Sequence, residues 1–335
     1  TEHMTALQSA FFKEMGKRDP WIDESFQVIP NFIENAVKRT EAYRLLKVRY
    51  GDDTDSIDLR LNEKKKMRVF SWEGEIDTLM STMDSMRYYK KFLQTGFMSM
   101  DPHTGHIKAW VGGMDHKYFK FDHVKQGKRQ PGSTFKPFTA IAAFEEGEID
   151  EKTEVFCSGS FKVGRKAYHC WKKGGHGPVN LVKAMRESCN VYFQRAAFRM
   201  DIDVIAKHAK DFGLGSRTGI ALPREANGLI PTQDWKRKRY GQEWQPGETL
   251  SCSIGQSYVL TSTMQLAVAF SAIANNGKIF RPYVIKEVLN ADGTIAKESK
   301  PEVLNEIKLK NPKTLKFLKE GLYQVVNNPK GTAFY

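Results

Sequence analysis

The segment Phe138-Thr139-Ala140-Ile141-Ala142-Ala143-Phe144 is apolar nearly all round at helical spacing, and it constrains this chain more than any other stretch. A helix without a polar face has to be surrounded on every side, so the segment predicts a central buried helix in a layered fold. Immediately before it stands Pro131-Gly132-Ser133-Thr134-Phe135-Lys136-Pro137. Pro137 suits the first turn of a helix, where its missing N–H costs nothing. Gly132 permits an unusual φ and close backbone approach. Ser133 and Lys136 are three apart, so on a helix they share one face about a turn apart. A serine hydroxyl is a poor nucleophile unless a base lies within hydrogen-bond reach. A lysine desolvated enough to lose its proton is such a base. The mouth of a buried helix also offers free N–H groups and a dipole that favours developing negative charge. The segment therefore points to an acyl-serine enzyme. The plain alternative is a helix start with a solvated lysine.

Ser188-Cys189-Asn190 is the second constellation, set between predicted helices at 183–187 and 191–200. On a short loop its hydroxyl and amide can aim into one cleft. The hydroxyl would relay a proton to a leaving amine, and the amide would hold a lysine and a substrate carbonyl. Loop serines and asparagines more often bond local backbone. Together, Ser-x-x-Lys and Ser-x-Asn belong to the signature set of β-lactamases and penicillin-binding proteins, which Lys-Thr-Gly completes.

The wording around these motifs extends the likeness. Lys128-Arg129-Gln130-Pro131-Gly132-Ser133-Thr134-Phe135-Lys136-Pro137 closely resembles the nucleophile segment of class A penicillin-binding proteins, the bifunctional peptidoglycan synthases. So does Met100-Asp101-Pro102-His103-Thr104-Gly105-His106-Ile107, as do Ser253-Ile254-Gly255-Gln256 and Ala274-Asn275-Asn276-Gly277. Lys-Thr-Gly itself is absent. Lys330-Gly331-Thr332 has its letters in another order and follows Asn327-Asn328-Pro329, so it reads as a helix exit and turn. The expectation is a fragment that stops short of the third motif and of the last sheet strands, and that acylates slowly in consequence.

The resemblance implies an α+β fold, an antiparallel sheet covered by helices on both faces plus a helical subdomain. It implies a transpeptidase domain at 91–335, with 1–90 a linker or accessory region following a glycosyltransferase domain. It implies D,D-transpeptidation of peptidoglycan stem peptides ending in D-Ala-D-Ala, with β-lactams acylating the same serine. The implied catalytic residues are Ser133 as nucleophile, Lys136 as base, Ser188 as proton shuttle and Asn190 as anchor. No organic cofactor and no metal is called for. Cell-wall synthesis partners and a periplasmic location at the plasma membrane are implied as well. The membrane anchor usual for the family is expected to lie outside this chain.

A D,D-carboxypeptidase or β-lactamase would use the same residues with water as acceptor, and a β-lactam-sensing scaffold would need no turnover. A Ser-His-Asp hydrolase fits less well, because no serine sits in a Gly-x-Ser-x-Gly elbow. The formal net charge is +13, concentrated in Lys64-Lys65-Lys66 and Lys236-Arg237-Lys238-Arg239. Such runs are usually solvated faces; attraction to anionic headgroups or wall polymers is the functional alternative. No zinc-finger spacing or RNP pattern accompanies the charge, which argues against nucleic acid. No apolar run approaches the ~20 residues of a membrane span.

Cys157 and Cys170, with His169 and His176 nearby, allow a disulfide, a zinc site or free buried thiols, and the spacing matches no standard ligand pattern. Along the chain, Met67–Trp72 alternates like a strand and Asp84–Gly96 reads as a helix. Phe97–Met100 and Ile107–Val111 flank Asp101-Pro102-His103-Thr104-Gly105 as a hairpin, on which the nucleophile helix is expected to pack. Residues 213–250, rich in Gly, Pro and charge, read as a long active-site loop. Further helices are expected at 203–212, 263–275 and 312–327.

Overall fold

The computed structural model describes residues 2–16, 18–22 and 27–334. Its backbone separates into two compact units. One comprises the chain up to Thr95 together with Gly113–Lys120. It contains α1 (Glu2–Met15), α2 (Phe32–Val37), α3 (Glu41–Tyr50), α4 (Thr54–Asn62), the antiparallel ribbon β1 (Lys65–Ser71) and β2 (Gly74–Met80), and α5 (Thr82–Lys90). The strand expected at Met67–Trp72 is therefore one arm of a hairpin. Helix α5 starts at a reciprocal cap, in which Ser81 and Asp84 each accept the other's backbone N–H. It ends well before Gly96. Trp21, Ile33, Val37, Ile57 and Leu61 form this unit's small core.

The second unit opens with the predicted hairpin, β3 (Phe97–Met100) and β4 (Ile107–Val111). A 3-10 turn, Gly132–Phe135, then runs into α6 (Lys136–Glu145). Next come β5 (Val155–Cys157), β6 (Ser160–Val163), β7 (Lys166–His169) and β8 (Gly177–Val179), followed by α7 (Leu181–Arg186), α8 (Asn190–Phe198) and α9 (Ile202–Asp211). Two helices, α10 (Gln233–Tyr240) and α11 (Pro246–Cys252), occupy the stretch expected to be a loop. The run Lys236-Arg237-Lys238-Arg239 lies on α10, where Thr232 caps the start and Lys236 turns inward to pair with Glu248. The chain continues through α12 (Thr263–Ala274), β9 (Lys278–Phe280), β10 (Glu287–Leu289), β11 (Ile295–Glu298), β12 (Val303–Glu306) and α13 (Thr314–Asn327). Among the described residues each sheet is a two-stranded antiparallel ribbon.

Helix α6 is the centre of this unit, and all ten of its residues are buried. Helices α7, α8, α9 and α13 surround it. Phe138 meets the rings of Phe212 and Phe270 edge-on at 5.7 and 5.9 Å. Each large apolar side chain buried here contributes about 1.5–3 kcal/mol. The hairpin β3–β4 is covered by α12, not by α6 as expected. A helix apolar on every side takes neighbours all round and is best served by other helices. Ser133, in the 3-10 turn, and Lys136, the first residue of α6, stand together where the turn enters the helix.

Candidate active site

The nucleophile turn is held from behind by a second strip of chain. Gly132 takes φ +57°, a left-handed conformation that suits glycine, and its N–H donates to the Gly255 carbonyl at 2.9 Å. Gly255 also has positive φ (+72°), and a side chain there would meet the Gly132 carbonyl and, at 2.7 Å, Cβ of Phe135. Thr139 Oγ1 donates to the Ser253 carbonyl at 2.8 Å. The Ser-Ile-Gly-Gln segment thus seats the turn that carries Ser133, leaving Ser133 exposed while Lys136 is only 1% exposed.

All four residues expected from the motifs converge. Lys136 Nζ lies 3.1 Å from Ser133 Oγ, 2.9 Å from Ser188 Oγ, 2.8 Å from the Ser188 carbonyl and 2.7 Å from Asn190 Oδ1. Ser188 Oγ lies 3.0 Å from Ser133 Oγ. The donor count is informative. Two of these neighbours, the Ser188 carbonyl and Asn190 Oδ1, can only accept. A neutral amine gives its two N–H groups to them and keeps a lone pair for a hydroxyl proton. Burial pushes the Lys136 amine down to about 8, with the nearby Cys170 and Cys189 sulfurs opposing part of that shift. Ser188 adopts φ +50°, which is uncommon for a residue with a side chain, and in that conformation its carbonyl and its hydroxyl both reach Nζ. Asn190, the first residue of α8, donates from Nδ2 to the His169 carbonyl at 3.2 Å, which aims its Oδ1 at the lysine.

Behind this loop lies a cluster foreign to the serine chemistry. Cys157, Cys170, His176 and Cys189 are all buried, and their donor atoms all fall within 4.8 Å of one another. His176 Nδ1 is 3.5 Å from Cys157 Sγ and 3.6 Å from Cys170 Sγ. Zinc–sulfur and zinc–nitrogen bonds of ~2.3 and ~2.05 Å at a tetrahedral angle put S and N about 3.6 Å apart, so the donor set suits a soft divalent cation. Hydrogen bonding from Cys189 pulls the Cys170 thiol well below the usual thiol range, against the effect of burial. The backbone N–H groups of Lys172, Asn190 and Val191 reinforce that shift. A cation held by these four side chains would supply structural cross-linking, not chemistry at Ser133.

No metal was expected from the sequence. The four donors come from the ends of β5, β7 and β8 and the start of α8, so their spacing carried no signature; His176 and the cysteine pair were visible only as neighbours. All four thiols are free, so Cys157 and Cys170 form no disulfide. Lys330-Gly331-Thr332 is a turn after α13, as its sequence suggested, with Gly331 N–H on the Asn328 carbonyl and Thr332 N–H on the Arg186 carbonyl.

Residues 95–334 match the penicillin-binding protein transpeptidase domain, and residues 16–93 match the penicillin-binding protein middle domain. The chain belongs to the penicillin-binding transpeptidase family, and its α+β fold is of that type. It is 37% identical over 214 residues to the peptidoglycan D,D-transpeptidase MrdA of Haemophilus influenzae, covering 63% of this chain and 33% of that protein. Among solved structures it resembles Pseudomonas aeruginosa PBP2 in complex with WCK 5153 (TM-score 0.63, 31% identity, 71% of this chain and 56% of that one). A chain of a peptidoglycan synthase complex that coordinates polymerization and crosslinking is similar too (TM-score 0.63, 28% identity, 72% and 43%). The chain spans about a third of the length of the curated relatives it matches. One expectation changes. These relatives are named as D,D-transpeptidases of the MrdA kind, not as class A bifunctional synthases. The motif segments serve the acylation centre and so resemble each other across classes.

Proposed function

We propose that this chain carries the acylation centre of a peptidoglycan D,D-transpeptidase. The observation that carries the proposal is the donor count at Lys136: two obligate acceptors occupy its N–H groups, which aims the lone pair at a hydroxyl. Lys136 takes the Ser133 proton as Oγ attacks the carbonyl between the two terminal D-alanines of a stem peptide. The Ser133 N–H, at the mouth of α6, is one donor to the oxyanion. The proton passes from Lys136 through Ser188 Oγ to the amide nitrogen, the C–N bond breaks and D-alanine leaves. An amine of a neighbouring stem then attacks the acyl carbon, loses its proton along the same path in reverse and releases Ser133. Asn190 fixes Lys136 throughout. β-Lactams acylate Ser133 by the same first step.

In this proposal residues 91–335 form the transpeptidase domain and residues 1–90 an accessory region, which the two family matches support. The substrate places the reaction outside the cytoplasm, on the periplasmic side of the plasma membrane. No helix among the described residues is long and apolar enough to cross a membrane. Cell-wall synthesis proteins are the partners this chemistry calls for. The test is labelling of the full-length protein with a fluorescent penicillin, read by mass spectrometry. One adduct on the Ser133 peptide is expected, and none in Ser133→Ala. An adduct that survives Ser133→Ala, or that maps to Ser188, overturns the assignment.

A further inference from the structure

Beside the Ser-x-Asn loop lies a cavity of about 680 Å³ that none of the four acylation residues lines. Ligand pockets commonly measure about 300–1,000 Å³. Lys172, Lys183, Arg186 and Lys330 stand on its wall against one carboxylate, Glu187, which is itself paired with Arg186. Lys172 and Lys330 are exposed and meet no carboxylate among the described residues. Lys183 is held to the wall by the His176 and Pro178 carbonyls, at 3.1 and 2.9 Å. Two further nitrogens of the lining residues have no partner among the described residues: Nε of Arg186, and Nε2 of His176, a side chain only 7% exposed. Buried polar atoms are rarely left so, and an arginine N–H can only donate, so this wall calls for an acceptor from outside. The cavity is tied to the catalytic loop. Glu187 immediately precedes Ser188, Trp171 Nε1 donates to the Glu187 carbonyl at 3.0 Å, and the Thr332 N–H donates to the Arg186 carbonyl at 3.1 Å. Trp171, 58% exposed, offers an indole face beside the cations.

We propose that this cavity binds the C-terminal carboxylate of the acceptor stem peptide, the one whose amine attacks the acyl group on Ser133. This rests on Ser133 being the acylated residue. An acceptor stem is a peptide with a free C-terminus, an apolar body and a terminal anion, which matches an indole set among cations. Consecutive Cα atoms are about 3.8 Å apart, so two or three residues of such a peptide reach from the Ser188 loop into a cavity whose wall begins at Glu187. Anchored by its carboxylate, the acceptor presents its amine to the acyl carbon at a raised effective concentration. The new N–C bond forms, the bond from the acyl carbon to Ser133 Oγ breaks, and the amine's proton goes to Ser133 Oγ. Water carries no carboxylate and gains nothing from the cavity. The subsite therefore favours transfer to a peptide over hydrolysis.

The test is a competition between acceptors on the full-length protein. The donor is a synthetic stem peptide ending in D-Ala-D-Ala, its side-chain amine acetylated. The acceptors are a shorter stem with a free side-chain amine, ending in a carboxylate or in the corresponding amide, supplied in equal amounts. Mass spectrometry counts the two cross-linked products. The wild-type chain should favour the carboxylate by at least about tenfold, the scale of a hydrogen bond to a charged group, and added salt should narrow that preference. Lys172→Gln combined with Lys330→Gln should bring the ratio close to one. The ratio is internal to each sample, so a general loss of activity does not mimic it. The wild-type ratio and its salt dependence stand even if the double variant fails to fold. Equal use of the two acceptors by the wild-type chain overturns the subsite and leaves the function intact, as does a ratio unchanged in the folded double variant. If the double variant instead discriminates against the donor's own carboxylate during acylation, the cations serve the donor and the acceptor subsite is overturned. Failure of the donor to acylate Ser133 overturns the function, and the subsite with it.

Discussion

Lys136 should impose its own titration on acylation. A lysine amine ordinarily titrates near 10.5, and burial beside Ser133 brings it to about 8. At pH 7 this leaves about 9% of the amine neutral, against about 0.03% for an unperturbed lysine, a roughly 300-fold gain in available base. The shift corresponds to about 3 kcal/mol of differential stabilisation of the neutral form. The sign follows directly: neutral amine is the active form, so the rate rises with pH. The second-order rate of benzylpenicillin acylation should climb close to tenfold per unit from pH 6 toward 7.5, bend near 8 and level off above about 9. Stopped-flow labelling of the full-length protein reads this, with Ser133→Ala correcting for alkaline hydrolysis of the drug. Lys136→Arg keeps a positive charge at the site but not a removable proton, so its rate should fall about 10²–10⁴-fold and lose the bend at 8. A profile flat from pH 6 to 8 in the native protein, or an arginine variant within tenfold of it, would refute the base role of Lys136.

Asn190→Ala removes an acceptor 2.7 Å from Lys136 Nζ and should slow acylation by about 2–10-fold, as befits a lost hydrogen bond of about 0.5–1.5 kcal/mol from the neutral amine, with the fold intact by circular dichroism. Gly255→Ala places a methyl group against the Gly132 carbonyl and Phe135 at positive φ; it should reduce the acylation rate at least about tenfold while far-ultraviolet dichroism stays unchanged, and a near-native rate would show that the Ser253–Gln256 strip does not seat the nucleophile. Chelation of a bound cation should lower the melting temperature, by an amount that grows with the logarithm of cation concentration on add-back of Zn(II), and a melting point indifferent to Zn(II) would remove the cross-linking role of the four donors. Glu145→Ala takes away a buried carboxylate that accepts from the Lys310 and Asn311 N–H groups and from Thr314; unfolding in urea should show a loss of about 2–4 kcal/mol with no change in the pH dependence of acylation.

The amino-acid sequence by itself determined what is local in this protein. An all-apolar run after Gly-Ser-x-x-Lys-Pro specifies a buried helix with a nucleophile at its mouth, and α6 is that helix. Two short alternating runs around Asp101–Gly105 specify the hairpin β3–β4. Ser133 and Lys136 lie three residues apart and Ser188 and Asn190 two apart, so each pair is set by backbone geometry alone, and all four were legible. The tertiary structure decided what depends on distance through space. Burial brings the Lys136 amine down to about 8, and that burial comes from chain distant in sequence, the Ser188 loop among it. Cys157, Cys170, His176 and Cys189 meet only because four separate strand and helix ends converge, so their spacing along the chain carries no trace of the site. The lysine-rich run of α10 looked uniformly solvated, yet Lys236 is folded inward against Glu248, since charge in a sequence does not say which face of a helix turns to the core. Local propensity acts over a few residues and is written in order. Burial and convergence are sums over the whole packed chain, and they exist only once it has folded.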